Sequence, residues 1–328
     1  MPQIKAHWLR DPMDTGFERL ITYLQSRVDD AVTITYGDMP QDASYHVLIN
    51  GRPTPEQLEA SPNLRMLIIP FAGLPAPTRE LMQDYPQISV HNLHHNTPPT
   101  AEMGLALLFA TASSIVPSDR EFRKHDWVAR NEPYPLTLLY RKTALILGYG
   151  SIGRYMAPVL RGMEMRVIGV RRREADPTHD IYTIDQLPDL LPLADVLMVA
   201  LPATPETIGL IGETELALLP AGAIVVNVGR GPVIDQYALY NALKSGHLYG
   251  AGIEVWYNYP QDEASQSNTP PADVPFHELD NIVMSPHRAG AAGNPEIERM
   301  RMDAIADYLN AAARGEPVPH QVDLKAGY

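Results

Sequence analysis

The stretch Gly148-Tyr149-Gly150-Ser151-Ile152-Gly153 constrains the fold more than any other part of the chain. It follows an apolar run, Ala144–Leu147, and opens a segment that reads as helix from Ile152 to Arg161. A lone GxGxxG is a weak signal. Between a strand and a helix it specifies a βαβ unit that takes a dinucleotide. Gly148 makes the tight turn, Gly150 lets backbone approach a pyrophosphate, and Gly153 lets the helix pack on the strand. The helix start, with Ser151 and Ile152, offers unpaired N–H groups and a partial positive charge to phosphates.

The end of the next strand bears on which dinucleotide is taken. A carboxylate there accepts a hydrogen bond from a ribose 2′-OH and repels a 2′-phosphate. The strand Arg166–Val170 runs instead into Arg171-Arg172-Arg173, and the first acid, Glu174, lies three residues past the expected place. Guanidinium groups grip phosphate bidentately. The expectation is NADP(H) favoured and NAD(H) possible, the other readings being a solvated basic face or an Arg stacked on adenine that tolerates either cofactor.

Strand and helix signals alternate along the rest of the chain. Tyr45–Asn50, Arg65–Pro70 and Ile88–Leu93 read as strands, with a helix over Thr78–Tyr85. One long helix is expected from about Thr100 to Lys124, then a loop at Asn131–Pro135. A second series has strands at Asp195–Ala200, Ala223–Val228, Tyr249–Val255 and Asn281–Ser285, with helices at Asp235–Ser245 and Asn294–Ala313. Residues 257–275 read as a long loop. This alternation predicts an α/β fold of doubly wound parallel sheets covered by helices. At 328 residues the chain has room for two such domains.

The charge balance excludes some functions. Lys and Arg total 26 against 39 Asp and Glu, a formal charge of −13, which argues against nucleic acid or anionic membranes as general partners. The chain has no cysteine, so disulfides, thiolate metal sites and cysteine nucleophiles are excluded. The longest apolar stretch, Met103–Val116, is too short to span a bilayer. The first residues lack the apolar core of a signal peptide, and a cytoplasmic protein is expected.

Three further motifs occur in order: Asn227-Val228-Gly229-Arg230-Gly231-Pro-Val-Ile-Asp235, Gly250-Ala-Gly-Ile-Glu254-Val-Trp256, and Ser285-Pro-His287-Arg-Ala-Gly290. Together with the Gly148 turn and Leu201-Pro202-Ala-Thr-Pro-Glu-Thr207, they resemble the D-isomer-specific 2-hydroxyacid dehydrogenases, whose superfamily includes formate and phosphite dehydrogenases. The resemblance is strong over about 95–290 and weak at both ends. It implies two Rossmann-like domains, a cofactor domain at 99–290 inserted into a substrate domain of 1–98 and 291–328, and a homodimer. It implies that Leu201, Pro202, Thr207, Val228, Gly229 and Glu254 help hold the cofactor. It also implies that Phe71, Ala72, Gly73 and Asn96 contact the substrate. Arg230 and His287 suit the chemistry of a small 2-oxo acid. A guanidinium can bind the carboxylate and polarise the carbonyl with one fork of donors. An imidazole can supply the proton.

One position departs from the pattern. The family places a Glu before a proline, five residues after the strand-end acid, where it hydrogen-bonds the catalytic His. Here that residue is Tyr259, before Pro260, and the strand-end acid is Glu254 where Asp is usual. Formate dehydrogenases carry Gln there, because they need no proton from His. Tyr259 is therefore expected to orient His287 through a hydrogen bond, or a carboxylate from Asp262, Glu263 or Glu278 is expected to replace the Glu. A tyrosine raises the His pKa less than a carboxylate does, so reduction with a lowered pH optimum is expected. The alternatives are a formate- or phosphite-like oxidoreductase, or a catalytically weak dinucleotide-sensing protein. The run His91-Asn-Leu-His94-His95 lacks metal-ligand spacing, and no metal is expected.

Overall fold

The structure is a computed structural model and describes residues 3–9, 17–130, 136–290 and 293–327; the loop expected at Asn131–Pro135 lies outside them. The chain divides into two compact units, residues 1–96 with 290–328, and residues 97–289.

The first unit is built on five parallel strands: β1 (Ile4–Leu9), β2 (Val32–Gly37), β3 (Val47–Ile49), β4 (Met66–Ile69) and β5 (Ser89–Asn92). Their order is β2-β1-β3-β4-β5. Every residue of β3 and β4 is buried, as expected of parallel strands covered on both faces. One face packs Ile4, Trp8, Phe17 and Ile68 against Met302, Ile305 and Leu309 of the helix Pro295–Arg314. The other packs Leu48, Leu67, Ile69, Met82 and Val90. The helix Pro295–Arg314 starts at an Asn294 cap, whose Oδ1 accepts from the Glu296 and Ile297 N–H groups. It stops at Gly315, which takes the left-handed conformation at φ +71° that glycine adopts without strain. The tail then runs along β5, where Val322 N–H donates to Val90 carbonyl at 2.8 Å.

The second unit has seven strands: β6 (Thr143–Leu147), β7 (Arg166–Arg171), β8 (Ile181–Thr183), β9 (Val196–Val199), β10 (Ala223–Asn227), β11 (Leu248–Ile253) and β12 (Ile282–Met284). All pairs are parallel, in the order β12-β11-β10-β9-β6-β7-β8. The winding reverses at β6, which pairs with β7 on one side and β9 on the other. Open parallel sheets bind ligands beyond the carboxyl ends of their strands at such a reversal.

Two sheets covered by helices agree with the α/β reading. The single helix expected over 100–124 is corrected. It is two helices, Thr97–Ala112 and Ile115–Phe122, bent by 65°. Ser114 at the break has φ +48°, and its Oγ lies 2.9 Å from Tyr249 Oη. Serine hydroxyls compete with the helix backbone for hydrogen bonds, and a tertiary partner tips that balance. Helix Thr97–Ala112 is apolar because it is buried against the sheet: a Cβ at Gly252 would stand 2.8 Å from Leu107 Cβ. Among the described residues no single helix is long and apolar enough to cross a membrane.

Candidate active site

The glycine turn follows β6. Gly148 has φ +101°, and a Cβ there would stand 2.7 Å from the Ala200 carbonyl oxygen. A Cβ at Gly153 would stand 2.6 Å from the Gly148 oxygen and 2.8 Å from Ile146 Cγ2. A Cβ at Gly150 would meet nothing within 4 Å. Two of the glycines are thus required by backbone packing. The third borders open space at the N-terminus of the helix Ser151–Gly162. Those three environments fit a bound pyrophosphate.

The loop after β9 closes on itself. Thr207 Oγ1 donates to the Pro202 carbonyl at 2.6 Å and accepts from the Thr204 N–H at 2.8 Å. Leu201 lies against Gly229, where its backbone leaves no room for a Cβ. Val228 is a core residue, and its N–H donates to the Val199 carbonyl at 2.9 Å. After β7, Arg171 donates from both Nε and Nη2 to the Glu174 carbonyl. Arg172 Nη2 lies 3.4 Å from Glu206 Oε1, and Arg173 is exposed.

Arg230 follows β10 on a turn clamped by buried Asn227. The Asn227 side chain accepts from Gly229 N–H and donates to the Arg230 carbonyl, each at 3.0 Å. Gly231 abuts the Trp256 backbone too closely for any side chain. The Arg230 guanidinium is half-buried, and Nη1 donates to the Gly229 carbonyl at 2.7 Å. Burial lowers its pKa.

His287 stands on a loop pinned at three points to the end of β11. Ser285 N–H donates to the Ile253 carbonyl at 2.8 Å, and Trp256 Nε1 donates to the Ser285 carbonyl at 2.7 Å. Ala289 N–H donates to Glu254 Oε1. His287 itself has φ +51°, an uncommon conformation for a non-glycine residue that such pinning sustains. Its ring reaches solvent, yet enough protein surrounds it that desolvation lowers its pKa below the ordinary value; the charge of Arg230 adds to this.

Tyr259 meets His287 ring against ring, with centroids 5.4 Å apart and planes tilted by 58°. Its hydroxyl accepts from the Trp256 N–H at 3.0 Å. The expected hydrogen bond to His287 is therefore replaced by an aromatic contact. Among the described residues no carboxylate pairs with His287. Asp262 accepts from Ser265 N–H, and no ion pair joins Glu263 or Glu278 to the ring. Glu254 is 1% exposed, and its Oε2 has no partner. An orphaned buried carboxylate oxygen is costly, and it marks a place where a bound donor would sit.

Asn227 and Trp256, which hold Arg230 and His287 in place, were not singled out by sequence for that role. Each stands inside a motif that was quoted, so adjacency was the available signal.

In the first unit, Phe71, Ala72 and Gly73 form the turn after β4. Asn92 Nδ2 donates to the Ala72 carbonyl at 2.6 Å, and Leu93 N–H donates to the Phe71 carbonyl at 3.3 Å. The Phe71 ring lies on Gly51. Asn96 Nδ2 points toward Gly290. His91 lies 2.9 Å from the Pro319 carbonyl through Nδ1, and His94 stacks on His320 at 4.1 Å and 6°. His95 is buried beside Arg301, with Nδ1 unpartnered. Burial pushes His94 and His95 each down to about 4. Among the described residues no His, Cys, Asp and Glu group has the arrangement of a metal site.

Residues 105–289 match the model of the D-isomer specific 2-hydroxyacid dehydrogenase NAD binding domain. The chain belongs to the D-isomer specific 2-hydroxyacid dehydrogenase family. It is 35% identical over 234 residues to a glyoxylate reductase of Korarchaeum cryptofilum, covering 69% of this chain and 66% of the relative. It is 31% identical over 277 residues to a D-3-phosphoglycerate dehydrogenase of Mycobacterium leprae, covering 83% of this chain and 49% of the relative. The chain thus spans about two thirds of the first relative's length and about half of the second's. A D-isomer specific 2-hydroxyacid dehydrogenase from Xanthobacter autotrophicus Py2, solved with NADPH and MES, superposes with a TM-score of 0.78 at 27% identity. That match covers 98% of this chain and 99% of the other.

Proposed function

We propose that this chain is an NAD(P)-dependent reductase of small 2-oxo acids, with NADP(H) favoured and NAD(H) usable. The observation that carries the reading is the convergence of Arg230 and His287 on one edge of the second unit. Both follow carboxyl ends of its strands, the side on which the glycine turn also lies. The glycine turn and the start of the helix Ser151–Gly162 would hold the pyrophosphate. Arg171–Arg173 would face a 2′-phosphate, and Glu254 Oε2 would take a donor from the nicotinamide end. The bound cofactor supplies the hydride.

The chain's residues do the rest. The forked donors of Arg230 bind the substrate carboxylate and draw charge toward the carbonyl oxygen. His287 gives that oxygen a proton as the carbonyl carbon is reduced, and it is reprotonated from solvent. Glu254 and Trp256 hold the His287 loop, and Tyr259 orients the imidazole through its ring. In the first unit, the carbonyl groups of Phe71 and Ala72 are turned into the 92–93 segment. That arrangement suits a turn presenting N–H groups to a carboxylate, with Asn96 nearby in sequence as a further donor. The protein would act as a cytoplasmic homodimer. Ile115, Phe122, Trp127, Val128, Leu136 and Leu138 are apolar residues left exposed on the second unit, which supports self-association.

The test is steady-state oxidation of NADPH, and in parallel NADH, against a panel of 2-oxo acids beginning with glyoxylate, hydroxypyruvate and pyruvate. Turnover with NADPH preferred is the expected result. Tight NADPH binding without turnover on any 2-oxo acid overturns it. That result favours the second reading, a formate- or phosphite-like oxidation or a dinucleotide sensor, for which the supporting observation is that no carboxylate among the described residues pairs with His287.

A further inference from the structure

The end of β7 lacks the acid that would receive a ribose 2′-hydroxyl, yet a carboxylate from another part of the chain pairs with the arginine that follows it. Glu206 belongs to the loop after β9, and Arg172 immediately follows β7. The two strands flank β6 on opposite sides. The Arg172–Glu206 pair, 3.4 Å between Nη2 and Oε1, therefore crosses the carboxyl end of β6, over the reversal point where the glycine turn lies. Neither side chain is fully packed away, with 33% and 68% of their surfaces exposed. Arg171 is committed to the Glu174 carbonyl. The exposed Glu174 carboxylate also lies 3.9 Å from Arg171, whereas Arg172 is the arginine paired with a carboxylate from another loop.

We infer that Glu206 sets the balance between the two dinucleotides, doing from the neighbouring loop what an acid at the end of β7 would otherwise do. The inference rests on the cofactor reading above. A 2′-phosphate approaching Arg172 has to displace Glu206 and is repelled by it, since both are anionic. A 2′-hydroxyl meets no such repulsion, and the carboxylate accepts its hydrogen bond. Glu206 thus weakens NADP(H) and supports NAD(H), so a chain with three arginines at this point still accepts both.

The experiment is titration of the protein with NADPH and with NADH, followed by reduced-nicotinamide fluorescence, for the wild type, Glu206→Gln, Glu206→Asp and Arg172→Gln. Glu206→Gln should tighten NADPH by about threefold to tenfold, the scale of one like-charge contact at a surface. It should weaken NADH by about twofold to fivefold, for loss of a charged acceptor. Glu206→Asp should lie between the two. Arg172→Gln should weaken NADPH by about tenfold and leave NADH within about twofold. Glu206 is on an exposed turn, so the Glu206 variants should melt with the wild type. The inference is overturned if Glu206→Gln leaves the NADPH-to-NADH affinity ratio unchanged or moves both affinities the same way. A wild type that binds neither dinucleotide overturns the cofactor reading itself.

Discussion

The two units hold their functional segments by different means. In the second, the turns are set by backbone lying on backbone: Gly148 against Ala200, Gly153 against Gly148, Gly229 against Leu201, and Gly231 against Trp256. In the first, the loops are held by side chains brought from far along the chain. Tyr308 Oη donates to the Asn92 carbonyl at 2.9 Å, Arg301 Nε lies 3.5 Å from His95 Nε2, and His320 stacks on His94. A turn made of close backbone contacts rejects a single methyl group and is indifferent to pH. A loop made of imidazoles tolerates changes of shape and is sensitive to protons. The candidate chemistry sits on the rigid kind, with Arg230 placed by the Asn227 clamp and His287 by hydrogen bonds to the end of β11.

The largest test of that contrast is Arg230→Gln. The turn is fixed by Asn227, so the fold should survive, with kcat/KM for a 2-oxo acid falling about 1,000-fold or more as the charged fork is lost. Thermal melting should stay near wild type, and a large drop in Tm would mean that the side chain carries the turn.

Acid should act on the first unit before the second. His94 and His95 have folded pKa values of about 4, against about 6.5 for an unfolded histidine. Below pH 6.5 the unfolded chain binds more protons at these positions, so stability falls with pH until about 4. Each contributes at most about 3 kcal/mol to that loss. Urea unfolding at pH 7, 6 and 5 measures it. Replacing His94 with Phe should flatten the dependence, and equal slopes in the variant and the wild type would remove the stacked pair from the account.

Two glycines sharpen the comparison within one turn. Gly153→Ala should cost about 1–3 kcal/mol of stability because the Cβ meets the Gly148 oxygen. Gly150→Ala should change stability by under about 0.5 kcal/mol, since its Cβ enters open space, yet weaken dinucleotide binding about tenfold or more. The smallest effect belongs to an exposed pair such as Arg123–Asp119, where Asp119→Asn should move Tm by about a degree or less.

What was legible in the sequence follows the same division. The Gly148 turn, the Asn227–Gly231 turn and the strand ends before Glu254 and Ser285 could be read because backbone constraints leave glycines at fixed spacings. Strands β1, β2 and β8 and the helix Phe17–Gln25 were not picked out. Strands β1 and β2 and that helix are stabilised by packing partners such as Met302 and Leu309 from the far end of the chain, and β8 is a three-residue strand at the sheet edge; none carries local turn chemistry as strong. The helix break at Ser114 depends on Tyr249, and the Arg172–Glu206 pair joins two loops 34 residues apart. Tyr259 was recognised as the departure from the family pattern, but its way of meeting His287, by ring contact with its hydroxyl turned to Trp256, required the structure.

The central claim is that His287 works as the proton donor without a carboxylate beside it. The direct measurement is the pH profile of kcat/KM for NADPH-dependent reduction of a 2-oxo acid, in the wild type and in Tyr259→Glu. In the wild type, burial and Arg230 hold His287 below its ordinary pKa, so the rate should rise as pH falls through a value under 6.5. A Glu at 259 should move that inflection upward, because an adjacent negative charge favours the protonated ring. A wild-type profile flat through the neutral range, or an inflection that stays put in the variant, would contradict the account.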